Sequence, residues 1–160
     1  LEQYPNLLVI KSISKSYGVP GLRLGVLATS DKTLLAEIRR YMPIWNINSF
    51  AEYFLQIFSL YADSYEASCD EIAIQRVKLE QKLSEVTFLE VFPSQANYIM
   101  CHVKTPYRSK EIATQLLIRH NLLIKDLSEK RGFNAEQYIR IAVKDEKENI
   151  RLYEALKALE

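Results

Sequence analysis

The sequence predicts an α/β protein in three stretches: the tail of an α/β layer over residues 1–45, a long connecting helical region over 46–83, and a small α+β lobe over 84–160. Three observations predict it. An apolar, partly β-branched run leads straight into a glycine-rich turn; a helical periodicity then runs without a proline from Asn46 to Leu83; beyond it, short apolar runs alternate with amphipathic ones.

In chain order, "NLLVIKSI" (6–13) is apolar almost throughout, which suits a strand buried on both faces of a parallel sheet. "LRLGVLA" (22–28) reads as a second short strand. "SDKTLLAEIRRYMP" has Ser30 or Asp31 as a helix cap and Pro43 as a stop. In the long helical region a break is expected near Asp63–Ser64. Phe50, Phe54, Ile57, Phe58 and Tyr61 form one apolar stripe, and Tyr65, Cys69, Ile72, Leu79 and Leu83 another, with Arg76 at a place the spacing assigns to an apolar residue. A short strand at 90–92 leads through Pro93 to a strand in "ANYIMCHV" (96–103). Ser109 is placed to cap the helix "KEIATQLLIRH". "LLIKDL" (122–127) and "YIRIAV" (138–143) are strands, and "SEKRGFNAEQ" between them is a loop. Asp145 and Glu148 form a capping box for a last helix whose apolar face carries Leu152, Tyr153, Leu156 and Leu159.

Composition narrows the function. Of 160 residues, 48 % are apolar and 26 % charged, which favours a buried core over disorder. Lys and Arg total 21 against 20 Asp and Glu, which gives no support to a nucleic-acid or membrane-surface role. No run of eighteen apolar residues occurs, and "LEQYPNLLVI" lacks the layout of a signal peptide. Cys69 and Cys101 lack CxxC spacing and read as reduced thiols of a cytoplasmic protein; with His102 and His120 as the only histidines, no metal site is recognisable. The chain has no initiator Met and opens almost at once into "LLVIKSI", so a fragment is expected.

The chemistry concentrates in "SISKSYGVPGLRLG" (12–25), which holds three of the four glycines. Ser12 and Ser14 supply hydroxyls, Lys15 an amine and Arg23 a planar fork of donors suited to phosphate oxygens. Gly18, Gly21 and Gly25 let the backbone turn tightly around a ligand. An amine beside a phosphate seat can act as a nucleophile. Neither GxxxxGK[ST] nor GxGxxG is present. Ser-x-Ser-Lys alone reads as an ordinary strand-to-strand turn; the whole string is more specific.

"SxSKxxGxxGxRxG" resembles the pyridoxal-phosphate lysine signature of the class I/II aminotransferases of fold type I. "PIWNINSFAEYFLQ", "FPSQANYIMCHV", "LLIKDLS" and "YIRIAVKDEKENIRLYEALK" follow in the order seen in histidinol-phosphate aminotransferases and threonine-phosphate decarboxylases. The resemblance covers nearly all of the chain but only the C-terminal part of such an enzyme. It implies the C-terminal edge of the large cofactor-binding domain over 1–45, the connecting helical region over 46–83, and the small C-terminal α+β domain over 84–160. It implies pyridoxal 5′-phosphate as cofactor and Lys15 as the residue forming the Schiff base and then moving the proton. Ser12, Ser14 and Arg23 fall on its phosphate-binding positions, and Arg140 on the arginine that clamps the substrate α-carboxylate. Asn97 falls on a strand near the cleft, and Lys125 on a position that usually carries Arg and helps to hold a distal phosphate. Asn48 and Trp45 read as lining the substrate entrance, with core or dimer interface as the other reading of Trp45. The same resemblance implies a small-molecule amino acid or amino phosphate ester with a 2-oxo acid as substrates, a homodimer with no nucleic-acid or membrane partner, and residues before Leu1 that complete the site. Amino transfer leads; decarboxylation of a phosphorylated amino acid, and a non-catalytic binding module, are the other readings.

Overall fold

The structure, a computed structural model, describes residues 1–131 and 137–160. They form two units, Leu1–Glu66 and Ala67–Glu160.

In the first unit, β1 (Leu8–Lys11) pairs with β2 (Val26–Thr29), Leu8 opposite Thr29 and Lys11 opposite Val26. The pairing is antiparallel, and Leu8, Val9 and Ile10 stay 41, 42 and 74 % exposed, so among the described residues β1 has neither the parallel neighbour nor the two covered faces expected of 6–13. The reason is local. A parallel partner needs a crossover helix, whereas residues 12–25 form only α1 (Ile13–Ser16), one turn long, and a 3-10 turn at Pro20–Leu22, which send the chain straight back. The strand expected at 22–28 therefore begins later, at Val26.

Asp31 is the cap of α2 (Lys32–Tyr41), its carboxylate accepting from the Leu34 amide at 2.9 Å. α3 (Ser49–Ile57) is capped by Asn48, and a 3-10 turn at Phe58–Tyr61 separates it from α4 (Ala62–Ser84), so the break comes before Asp63. Packing sets its place. The turn brings Tyr65 onto the same aromatic cluster as Phe54, Phe58 and Tyr17, with ring centroids 4.5 Å apart for Tyr17–Phe58 and 4.7 Å for Tyr17–Tyr65.

The second unit is an antiparallel sheet of β3 (Leu89–Phe92), β4 (Tyr98–Val103), β6 (Tyr138–Ala142) and β5 (Lys125–Asp126), in the order β3-β4-β6-β5. Period-two alternation gives it one buried face. Ile99, Cys101, Val103, Ile139 and Ile141 pack with Leu79 and Leu83 of α4, with Ile112 and Leu116 of α5 (Ser109–His120), and with Leu152 and Leu156 of α6 (Glu146–Lys157). The opposite face carries Tyr98, Met100, His102, Tyr138 and Arg140, exposed or half-buried. Burial, with Glu80 adding to it, pushes the Cys101 thiol up to about 12, so it is an inert core residue; Cys69 is exposed and free. Leu116 is fully buried, and Leu116→Ala is expected to lower unfolding stability by about 2–5 kcal/mol, read from the denaturation midpoint.

Three local expectations are adjusted. The strand expected at 122–127 shortens to Lys125–Asp126, because the left-handed Asn121 (φ 52°) ends α5 and the Leu122 amide turns back to the Leu116 carbonyl. Ser109 opens α5 rather than capping it; its hydroxyl goes to Asp126. Asp145 accepts from the Glu148 amide at 2.8 Å, while the Glu148 carboxylate lies 3.7 Å from Lys144 Nζ, so half the capping box is made. Of the loop expected at 128–137, residues 132–136 lie outside the described residues. No described helix is long and apolar enough to cross a membrane, and the described residues hold no group of three or more His, Cys, Asp and Glu able to bind a metal ion.

Candidate functional site

Lys15 stands exposed on the single turn of α1, with the chain locked on both sides of it. Ser14 is buried, and three hydrogen bonds join it to Leu24. Its hydroxyl donates to the Leu24 carbonyl at 3.2 Å and accepts from the Leu24 amide at 2.6 Å, while its amide donates to the same carbonyl at 3.2 Å. The Ser14 carbonyl accepts from the Val19 amide at 2.8 Å, and Gly18 takes φ +67°, a conformation glycine adopts at little cost. Tyr65 donates its hydroxyl proton to the Ser16 carbonyl at 2.7 Å. The lysine is therefore carried by a rigid bend.

Arg23 is exposed and left-handed, φ 55°, between two pinned neighbours. Leu24 is held by Ser14, and the Leu22 carbonyl accepts from Asn48 Nδ2 at 3.0 Å. Asn48 thus spends its amide on this carbonyl and on the α3 cap, so it holds the Arg23 bend in place. Trp45 is 91 % exposed, which removes the core reading for it in this chain. Among the described residues no carboxylate lies within ion-pair distance of Lys15 or Arg23. Ser12 uses its carbonyl to accept from Ser16, and its hydroxyl makes no cap bond.

In the second unit, Lys125 and Arg140 are direct cross-strand partners on the open face. Like charges placed opposite each other repel, and no described carboxylate lies within ion-pair distance of either. Both line a cavity of about 800 Å³ with Leu123, Glu129 and Ala142. The same concavity also takes in Asp126 and Lys130, so Arg140 and Lys125 bring cations to a lining of mixed charge. Of the two outcomes open to a strand arginine, emergence at a cleft or pairing with a buried acid, the structure has the first. Asn97 is exposed, and its carbonyl accepts from the Val143 amide at 2.9 Å, closing β4 on β6.

The short β5 is held by Asp126, a residue that no sequence motif singles out. Its carboxylate accepts from the Ser109 hydroxyl at 2.8 Å and from the hydroxyl and amide of Ser128. Burial alone would raise the Asp126 carboxyl; the bonds from Ser128 and Ser109, with the charge of Lys110, more than offset it and hold the group below the usual aspartate value. A folded pKa below the unfolded one means stabilisation present above the unfolded value, near pH 4, and lost as pH falls through the folded value. We therefore expect Asp126→Asn to cost about 1–2 kcal/mol at neutral pH. Denaturation of both proteins should show that difference constant from neutral down to about pH 5 and shrinking below about pH 4.

A family model described as "Aminotransferase class I and II" matches residues 1–156. The chain is 34 % identical over 149 residues to the CMP-5′-(3-aminopropyl)phosphonate synthase of Streptomyces rubellomurinus, covering 93 % of this chain and 24 % of that protein. It is 28 % identical over 160 residues to the L-serine phosphate decarboxylase of Sulfurospirillum multivorans, covering 99 % and 40 %. The crystal structure of the histidinol-phosphate aminotransferase from Clostridium acetobutylicum superposes with a TM-score of 0.86 at 28 % identity, covering 99 % of this chain and 47 % of that one. The chain spans less than half the length of each of the three.

Proposed function

Since the chain belongs to the class I and II aminotransferase family, with the fold of type I and pyridoxal 5′-phosphate as the family's cofactor, we propose that it carries the lysine turn and small domain of an enzyme transferring an amino group between an amino acid or amino phosphate ester and a 2-oxo acid. The observation that carries this reading is the locked turn: an exposed amine at Lys15, and a guanidinium at Arg23 whose two neighbours are tied down.

The donor set fits the cofactor. An amine answers an aldehyde, and a guanidinium with a hydroxyl answers a phosphate. When bound, pyridoxal phosphate supplies a carbonyl that condenses with amines and a ring that takes up electrons. Lys15 Nζ would be the nucleophile toward that carbonyl, and as a free amine it would hold and move a proton. Arg23 and Ser12 hold the phosphate. Ser14 has one hydroxyl proton and gives it to the Leu24 carbonyl, so it serves the phosphate seat by setting where Arg23 stands. Arg140 takes the substrate carboxylate, Lys125 a second anionic group, and Asn97 holds the strand end beside them. The exposed Tyr41, Ile44, Trp45 and Phe50 suit a second copy of the protein, and the two free thiols suit a cytoplasmic setting.

Decarboxylation of a phosphorylated amino acid is the second reading, favoured by the pairing of Lys125 with Arg140. A carboxylate gripped by a guanidinium is not the group that leaves. If both cations hold a phosphate instead, the α-carboxylate is unheld and free to depart as CO₂. Incubating the natural full-length protein with candidate amines, and following CO₂ release against oxo-acid-dependent amino transfer, separates the two. Amino transfer without CO₂ supports the leading reading; CO₂ without an oxo-acid requirement replaces it.

A further inference from the structure

We infer that Tyr98 is a positioning residue for Arg140, aiming its guanidinium without using up either its charge or its N–H donors; the inference rests on the reading of Arg140 as the substrate-anion residue.

The Arg140 Cζ lies 5.1 Å from the centroid of the Tyr98 ring, inside the range over which the negative face of an aromatic ring attracts a cation. Register explains how they meet. Arg140 directly opposes Met100 across β4–β6, and Tyr98 directly opposes Ala142, so Tyr98 is the diagonal neighbour of Arg140. The small Ala142 side chain leaves the ring room to lie across toward the arginine. On the other side Lys125 directly opposes Arg140, and its like charge pushes the guanidinium toward the ring. The arginine is thus bracketed by an aromatic face and an ammonium.

A carboxylate is the usual means of fixing an arginine, but it would neutralise the charge and occupy the donors that an anion needs. The nearby acids are committed elsewhere: Asp126 to Ser109 and Ser128, Glu129 to Lys110 at 3.3 Å. A ring face beside the guanidinium attracts it through the ring's quadrupole and neutralises neither its charge nor its N–H donors. Tyr98 is 40 % exposed, on the open face of the sheet rather than in its core, so its replacement should spare the fold.

The test is steady-state kinetics of the natural full-length protein with its amino substrate. Tyr98→Leu should raise KM about fivefold with kcat within twofold, and Tyr98→Phe, which keeps the ring face, should stay within twofold of the parent. In an Arg140→Gln background, Tyr98→Leu should add nothing. Tyr98→Met is the second non-aromatic variant should the leucine protein not fold. If Arg140→Gln raises KM but neither Tyr98→Leu nor Tyr98→Met does, the positioning role is overturned while the function of Arg140 stands. A Tyr98→Phe protein as impaired as the non-aromatic ones assigns the effect to the hydroxyl and equally overturns it. Should Arg140→Gln leave KM unchanged, the reading of Arg140 itself falls, and this inference with it.

Discussion

Lys15→Ala is expected to lower kcat/KM of the natural full-length protein by roughly 10⁴-fold or more, because in the proposed function one amine serves as both nucleophile and proton carrier. The loss should be chemical rather than structural. Lys15 is exposed on α1, its carbonyl accepts from the Gly18 amide at 3.3 Å, and alanine keeps that carbonyl and favours a helical turn. The visible absorption of bound pyridoxal phosphate should change in the same variant, and added small amines should restore part of the rate. Amino transfer retained within tenfold of the parent would sink the assignment of Lys15 as the catalytic amine.

The second large effect is at Arg23. Arg23→Gln is expected to weaken binding of pyridoxal phosphate by about 2–3 kcal/mol, roughly 30- to 150-fold, measured by cofactor titration of the apoprotein; Lys at this position recovers charge but not the fork. Arg23→Gly isolates the functional part. At φ 55° a non-glycine residue carries a backbone penalty of about 1 kcal/mol or more, which glycine relieves. That variant should therefore unfold no more easily than the parent while losing the same cofactor affinity. A residue whose removal leaves the fold as stable and the ligand unbound is held in its strained place for the ligand. Equal cofactor affinity in Arg23→Gly and the parent would remove Arg23 from the phosphate seat.

Much of this was legible along the chain. The Asp31 and Asp145 caps, the alternation of Ile99, Cys101 and Val103, and the apolar face of α6 are local patterns whose partners lie a few residues away. What failed did so where a distant partner decided. The run at 6–13 is apolar enough for a doubly covered strand, yet its neighbour in the structure is the antiparallel return of its own turn. Ser109 looks like a cap from its sequence neighbours, but Asp126, across to β5, claims its hydroxyl. The helix break moved because Tyr17, far upstream, gathers Phe54, Phe58 and Tyr65 around itself.

The same division runs through the site. By itself the sequence determined the chemical kit, since the identity and spacing of Ser12, Ser14, Lys15, the glycines and Arg23 specify an amine beside an anion seat whatever the chain does next. Tertiary structure alone decided how the kit is spent: that Ser14 is bonded to Leu24 while the hydroxyl of Ser12 makes no cap bond, that Lys125 faces Arg140, and that Tyr98 lies against the guanidinium. The physical reason is that a hydroxyl has one proton and a strand residue one facing neighbour. Which groups claim them depends on segments brought together only when the sheet and the turn close.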